Sequence, residues 1–234
     1  MKAYIHQIAT SEDQQIDFKQ IVPNPLMRRR MSRIVRDGVS AASLCCQGHD
    51  VDAILTATGY GCLTDSEKFL HNIIDTDEQL LSPTSFIQST FNTIGATIAL
   101  LQQKQCYNMT YTHGSSSLEA ALLDGLMMLE DNEAKSVLVG AIEEMPDSMK
   151  TLLQRLRVSD IPSTGGACFF RLNLQAEGAK ASIEIQTKLH EAKKIKRQYS
   201  DPLSMARRIE QGVSNKECIT LDNIYTTIHI KCLQ

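Results

Sequence analysis

The chain has 234 residues, 42% of them hydrophobic, and a formal net charge of -3. This size and apolar content suffice for one domain with a full core, and the weak negative charge argues against nucleic-acid binding, which usually needs a clustered basic face. The sequence has no run of about 18 apolar residues and no signal-peptide pattern, so we expect no membrane association and a cytoplasmic location.

Hydrophobic spacing predicts a strand, a long helix and a second strand in the first part of the chain. Residues 2–7 alternate as in a strand, and apolar side chains recur at helical spacing over 27–42. Gly48 is expected to end this single helix, and residues 51–57 to form a strand. A glycine turn at 58–62 precedes a polar helix in which Thr64 and Glu67 have the spacing of a capping box.

The middle of the chain is predicted to contain a helix followed by a strand, a turn and a second helix. The first helix covers residues 83–101, and the strand covers 106–111. This strand leads into Thr112, His113 and Gly114, and the next helix begins at the serines of positions 115–117. The apolar face of the first helix carries Ile87, Phe91, Ile94, Ile98 and Leu101.

The remaining elements complete the pattern of a layered α/β fold. Strands are predicted over 136–143, near 166–170 and over 181–189, then a helix over 202–211 that Asp201 caps, and a strand over 224–230. For this α/β fold we expect a mixed five-stranded sheet flanked by helices, which the strand over 224–230 could extend. We expect one domain over residues 1–190 and a tail over 191–234, whose helix and terminal strand pack on the same domain.

The strand–turn–helix elbow around Gly114 has the form of a nucleophile turn without a nucleophile. A helix begins with unsatisfied N–H groups and a partial positive charge, which together stabilise a thiolate or an oxyanion placed just before it. Gly114 has no side chain there, and we expect the following serines to cap the helix. His113 is either a structural turn residue or a group that polarises a bound carbonyl.

The order of these segments resembles the amino-terminal half of the β-ketoacyl synthases, which have the thiolase-like fold. The elbow of that family reads Thr-Ala-Cys-Ser-Ser-Ser, so Gly114 stands where the family has its nucleophilic cysteine. The resemblance extends over about residues 1–190 and is carried by four further segments: 52–61, 83–101, 137–143 and 163–170. It implies a thiolase-like half-domain without the catalytic cysteine.

The resemblance also implies what this chain lacks. A working ketosynthase has a second half with two catalytic histidines in glycine-rich settings, whereas His190 and His229 have no such neighbours. The implied role is a non-catalytic subunit similar to the chain length factors of type II polyketide, aryl polyene and flexirubin systems, which take part in fatty-acid or polyketide-type chain elongation. The implied partner is a full-length ketosynthase or a second copy of this chain, with an acyl carrier protein as a further partner.

The same resemblance suggests which residues serve this role. Phe86, Phe91, Ile94 and Ile98, together with Thr112, are the candidates for a partner interface or the wall of an acyl tunnel. The turn residues His113, Gly114 and Ser115 would line a vestigial pocket.

Two other functions remain open at this stage. The chain could be an independent thioester-processing enzyme with a shifted nucleophile, either Ser115, Ser116 or Cys62, and with His71 or His190 as its base. It could also be an acyl- or carrier-protein-binding module that performs no chemistry. The basic runs 28–30 and 193–197 are expected to be solvated surface; the alternative is contact with an acidic partner or with a carrier protein's phosphopantetheine arm.

No metal or cofactor is predicted. The seven cysteines have no Cys-x-x-Cys spacing, and most have apolar neighbours. The adjacent pair Glu143 and Glu144 follows a strand, where neighbouring side chains point to opposite faces, so we expect these carboxylates to anchor loops.

Overall fold

A computed structural model describes residues 1–13, 17–157, 165–187, 201–222 and 226–233. The elements in chain order are β1 (Lys2–Thr10), α1 (Phe18–Ile21), α2 (Pro25–Arg30), α3 (Arg33–Cys46), β2 (Ala53–Ala57), α4 (Leu63–Asp75), α5 (Pro83–Ser89), α6 (Thr93–Leu101), β3 (Tyr107–Tyr111), a 3₁₀ turn (Gly114–Ser116), α7 (Ser117–Glu130), β4 (Val137–Glu143), α8 (Asp147–Arg155), β5 (Gly166–Asn173), β6 (Ala181–Thr187), α9 (Pro202–Ser214), β7 (Ile219–Asp222) and β8 (Thr226–Cys232). His190, the basic run 193–197 and the expected domain boundary at 190 lie outside the described residues.

The strands form one mixed sheet of eight strands in the order β3-β2-β4-β5-β1-β6-β8-β7. The strands β3, β2 and β4 are parallel, and every other neighbouring pair is antiparallel. The α/β fold is confirmed, but the prediction of five strands was wrong. The sheet continues past β1 through β6, β8 and β7, and the four-residue β7 is too short for its alternation of apolar and polar residues to predict a strand.

Helices cover both faces of the sheet and enclose two cores. The side chains of α3 and α6 pack with one face, and those of α7 and α9 pack with the other. Because β4 lies between both layers, all seven of its residues are buried. None of the helices in the described ranges is long and apolar enough to span a bilayer.

Two predicted long helices are each divided. The expected helix over 27–48 is α2 followed by α3, because Met31 takes an extended conformation between them, and Gly48 then adopts a positive φ of 73°. The expected helix over 83–101 is α5 followed by α6. There the Thr90 hydroxyl donates to the Ile87 carbonyl at 2.8 Å, which ends α5. Apolar residues continue at helical spacing across both breaks, so periodicity alone did not indicate them.

The helix of the tail lies on the α7 side of the sheet. Asp201 accepts a hydrogen bond from the Ser204 backbone N–H at 2.8 Å, which is the predicted cap of α9. The helix packs against β4, β5 and α7, and it buries Leu203, Ala206 and Ile209. An apolar face that a lone half-fold would expose is therefore covered by this chain itself.

Candidate functional site

The carboxyl ends of the three parallel strands form the candidate site. The strand β2 ends in the glycine turn 58–62, β3 ends in the elbow, and β4 ends at Glu143. The Thr58 backbone N–H donates to the Tyr111 carbonyl at 3.0 Å, which joins the glycine turn to the strand that enters the elbow. Ligand sites of α/β folds commonly lie at this edge of a sheet.

Gly114 is at the tip of the elbow and faces open space. Its φ is +60°, a left-handed conformation that glycine adopts without strain, and a Cβ atom built there would meet nothing within 4 Å. The turn therefore has the shape that would present a side chain to a substrate. Because residue 114 is a glycine, only backbone atoms are available at this position.

Ser117 joins the elbow to the glycine turn. Its side chain is fully buried, and its hydroxyl lies 2.8 Å from both the Thr58 and the Gly114 carbonyl oxygens, which share its single proton as acceptors. The expected capping of α7 by the serines was wrong, since Ser116 at the N-cap makes no side-chain capping bond. Ser117 is thus a structural clamp between two turns, a role that the sequence did not indicate.

The exposed residues of the elbow show no catalytic arrangement among the described residues. Ser115 is exposed, and its hydroxyl has no hydrogen-bond partner within the ranges that the structure describes. The ring of His113 lies 5.9 Å from the ring of Tyr111, measured between centroids. His71 is on the exposed part of α4. The geometry therefore assigns no base to a serine nucleophile.

Glu143 anchors the glycine turn from inside the protein. Its side chain is only 3% exposed, and its carboxylate accepts hydrogen bonds from the backbone N–H groups of Gly59 and Tyr60. Burial raises the pKa of Glu143 to about 8. The negative charge of Asp201 acts in the same direction, and the Gly59 N–H opposes it. This carboxyl group therefore changes its charge near neutral pH.

Glu144 anchors the start of α4. Its carboxylate accepts from the Thr64 backbone N–H at 2.8 Å and from the Thr64 hydroxyl at 2.9 Å, and burial raises its pKa. The anchoring role expected for the two glutamates is confirmed. The predicted capping box was wrong, because Thr64 binds Glu144 while Glu67 accepts a hydrogen bond from Ser148.

Cys62 does not have the environment of a nucleophile. Its side chain is 1% exposed, and burial raises its pKa to about 12, with Asp65 contributing in the same direction. The thiol is thus protonated at neutral pH and has little access to substrate. Within the described part of the chain, no group of three His, Cys, Asp or Glu side chains is arranged to hold a metal ion.

The strand β3 forms an open edge of the sheet next to the elbow. It pairs with β2 on one side only, and Tyr107 and Met109 are 41% and 42% exposed. At its end, the Tyr111 hydroxyl donates to Asp124 at 2.8 Å, and burial together with this bond raises the pKa of Tyr111. An exposed edge strand of this kind is typical of a surface that pairs with another chain.

The predicted interface residues fall into two groups. Phe86 and Phe91 are 54% and 48% exposed, with the Phe86 ring 5.7 Å from that of Phe69 between centroids. The Phe91 ring lies against Gly61, where a Cβ atom would collide with it. In contrast, Ile94 and Ile98 are buried in the core beneath α3, and Thr112 is exposed beside the elbow. The roles of all five remain predictions.

A mixed sheet whose parallel strands end in a glycine turn and an elbow is the arrangement expected from the resemblance to a ketosynthase half. The chain matches the family "Beta-ketoacyl synthase, N-terminal domain" over residues 3–223 and belongs to that family. The resemblance inferred from the sequence is thus confirmed. No curated protein shows a significant match to the chain.

Several solved structures have a similar fold. One is the complex of the ketosynthase ApeO with its chain length factor ApeC from Xenorhabdus doucetiae, with 16% identity, a TM-score of 0.70 and 99% of both chains covered. Another is AntDE:AntF, a type II polyketide synthase carrier protein in complex with its ketosynthase, with 10% identity, a TM-score of 0.72 and 99% of both chains covered. The ishigamide ketosynthase/chain length factor has 17% identity and a TM-score of 0.60, with 76% of this chain and 55% of that chain covered. The TM-scores show a shared fold.

Proposed function

We propose that this chain is a non-catalytic, chain-length-factor-like subunit that pairs with a competent β-ketoacyl-acyl-carrier-protein synthase in fatty-acid or polyketide-type chain elongation. The observation that carries the proposal is the exposed edge of β3, a strand that runs directly into an elbow without a nucleophile. Pairing and catalytic silence are separate parts of the proposal, and different residues support each of them.

Catalytic silence is supported by the chemistry of the site. Gly114 has no group to attack a thioester, Cys62 is buried and protonated, and Ser115 has no described base within hydrogen-bond reach. These observations disfavour the shifted-nucleophile alternative. The elbow can still contribute backbone N–H groups beside a bound acyl group, which requires no side chain at position 114.

Pairing is supported by the exposure of β3. Tyr107 and Met109 are exposed on one face of the strand, whereas Asn108 on the other face donates to the Gly95 carbonyl of α6 at 2.8 Å. No described strand pairs with the outer edge of β3, and native proteins usually protect such an edge with charges, proline or a covering element. Because β3 has no charged residue or proline and no described strand covers its edge, we infer that a partner chain covers it, and that the partner approaches Thr112 and His113 at the end of the strand.

The comparisons support the choice of partner. The alignments to chains of the ApeO–ApeC and AntDE:AntF structures cover 99% of both chains. Chains of nearly this length therefore occur in assemblies that contain a ketosynthase. In the proposed complex, Phe86 and Phe91 add apolar surface to the interface. The acyl carrier protein delivers its substrate to the ketosynthase partner, which carries the catalytic residues.

The test is co-expression with the full-length ketosynthase encoded nearest to this gene. A tag is attached to this chain, and the mass of the purified assembly is measured. We expect a one-to-one complex. A lone monomer would refute the pairing, and a homodimer would instead favour the acyl- or carrier-protein-binding module.

A charged residue introduced on β3 tests whether this strand forms the interface with the ketosynthase. Met109→Lys should weaken the complex at least about tenfold, or about 1.4 kcal/mol, because the ammonium group would lose its water at the interface. The matched control is Leu174→Lys, since Leu174 has a similar exposure of 44% but follows β5 at the opposite end of the sheet from the elbow. Equal effects of both substitutions would contradict pairing through β3.

A further inference from the structure

Tyrosine and aspartate side chains meet on the face of β3 that is turned towards α7. Tyr107, Met109 and Tyr111 share this face, because the side chains of a strand alternate between its two sides. The Tyr111 hydroxyl donates to Asp124 of α7 at 2.8 Å, and the Tyr107 hydroxyl lies close to the same carboxylate. Tyr107, Tyr111 and Asp124 therefore form a Tyr–Asp cluster beside the open edge of the sheet.

The charge of Asp124 is not balanced within the two elements that form the cluster. Residues 107–133, which include β3 and α7, contain five carboxylates and no lysine or arginine. Among the ion pairs of the described residues, none includes Asp124. A carboxylate accepts hydrogen bonds at about four positions, so Asp124 can accept further donors beside the tyrosine hydroxyls.

The two tyrosines hold this carboxylate in place and add an aromatic surface. Burial raises the pKa of both hydroxyl groups, and the charge of Asp124 acts in the same direction, so both remain protonated donors at neutral pH. Tyr107 is 41% exposed and Met109 beside it is 42% exposed. An exposed aromatic ring next to a carboxylate attracts a cationic side chain through both its ring face and the negative charge.

We propose that the Tyr–Asp cluster binds an arginine side chain of the ketosynthase partner. Arginine fits better than lysine, because its planar guanidinium group donates several N–H groups to a carboxylate and also stacks on an aromatic ring. The inference rests on the proposed pairing through β3, and it adds the chemical group by which the partner recognises this edge.

The same cluster disfavours pairing between two copies of this chain. In a dimer with two-fold symmetry, a surface patch meets the same patch of the second copy. Two copies joined through β3 would bring two Asp124 carboxylates into one interface, without a lysine or arginine from residues 107–133 to meet them. Because like charges at an interface cost free energy, a partner that supplies an arginine is favoured over a second copy.

The test measures the affinity of the full chain for the full-length ketosynthase encoded nearest to its gene, by surface plasmon resonance. Asp124→Asn removes the charge but keeps an oxygen that accepts from the Tyr111 hydroxyl, so the fold should persist while the complex weakens at least about tenfold. The decrease of affinity between about 50 mM and about 300 mM salt should also become smaller. The matched control, Asp131→Asn, makes the same change at an exposed residue after α7 and should alter the affinity less than about threefold.

A double-mutant cycle locates the arginine on the partner. Each arginine of the ketosynthase is replaced by glutamine in turn, and every variant is measured with the wild-type chain and with Asp124→Asn. One replacement should weaken the wild-type complex at least about tenfold and the Asp124→Asn complex less than about threefold, because the contact is already lost in the second case.

The results separate a failure of this inference from a failure of the proposed function. If the wild-type chain forms no complex with the ketosynthase, both are wrong. If the complex forms but Asp124→Asn binds like the wild type, or if no arginine is coupled to Asp124, the pairing stands and the arginine contact is wrong. A homodimer of the wild-type chain as tight as its complex with the ketosynthase would overturn the discrimination against self-pairing.

Discussion

Glu143→Gln should make the protein more resistant to alkaline pH. The folded protein raises the pKa of this carboxyl group from its ordinary value of 4.5 to about 8, mainly through burial. The folded state therefore keeps a proton that the unfolded chain has released. The resulting stabilisation is complete below about pH 4.5 and is lost as the pH rises through about 8.

The size of the effect follows from this shift. Between about pH 6 and about pH 9, proton release from Glu143 should lower the free energy of unfolding by roughly 3 kcal/mol. Glutamine has nearly the same shape, remains neutral throughout and keeps an oxygen that accepts from the Gly59 N–H. The free energy of unfolding of the variant minus that of the wild type should therefore increase by this amount over the same pH range.

The assay is urea unfolding followed by circular dichroism at several pH values. Other ionisable groups are common to both proteins, so the difference isolates position 143. Glu133→Gln makes the same chemical change at an exposed glutamate, and its difference from wild type should stay within about 0.5 kcal/mol at every pH. A difference for Glu143→Gln that stays flat across the range would refute the argument that burial holds the proton.

Two further substitutions test the packing behind the site. Gly140→Ala should destabilise the protein by about 2 kcal/mol or more in urea unfolding, since the added Cβ would collide with the buried ring of Phe169. An unchanged urea midpoint would show that the ring can move aside. Ser117→Ala should lower the free energy of unfolding by about 1 to 2 kcal/mol, because the Thr58 and Gly114 carbonyls lose their shared donor. Faster hydrogen exchange in the glycine turn would show where the stability is lost. Exchange at the wild-type rate there would mean that Ser117 does not clamp the turn.

The fold was predictable where one face or both faces of an element are apolar. The spacing of apolar residues located β1, β2, β4 and α7, and Asp201 correctly marked the start of α9. The number of strands in the sheet was not predictable, because apolar spacing does not record which strands pair with one another and because the four-residue β7 is too short to be recognised. The breaks in the two long helices depend on local backbone contacts that hydrophobic periodicity does not record.

The site was predictable as a turn but not as a network. The position and missing side chain of Gly114 are visible in the sequence, and so is the anchoring pair Glu143 and Glu144. Ser117, however, was one of three serines in a row, and only the arrangement of the two turns identifies it as the clamp. The proximity of Asp201 to Glu143 joins positions that are distant along the chain, and no local pattern reports such an approach.

The central position of β1 has a consequence for synthesis on the ribosome. This strand pairs with β5 on one side and β6 on the other. Both of these neighbours are synthesised only after more than two thirds of the residues described have been translated. At about 5 to 20 residues per second, β1 waits roughly 10 to 30 s before β6 has been synthesised. During that time its apolar residues Ala3 and Ile5 lack their final neighbours. Nascent chains of intermediate length should therefore depend on chaperones more than the finished protein does.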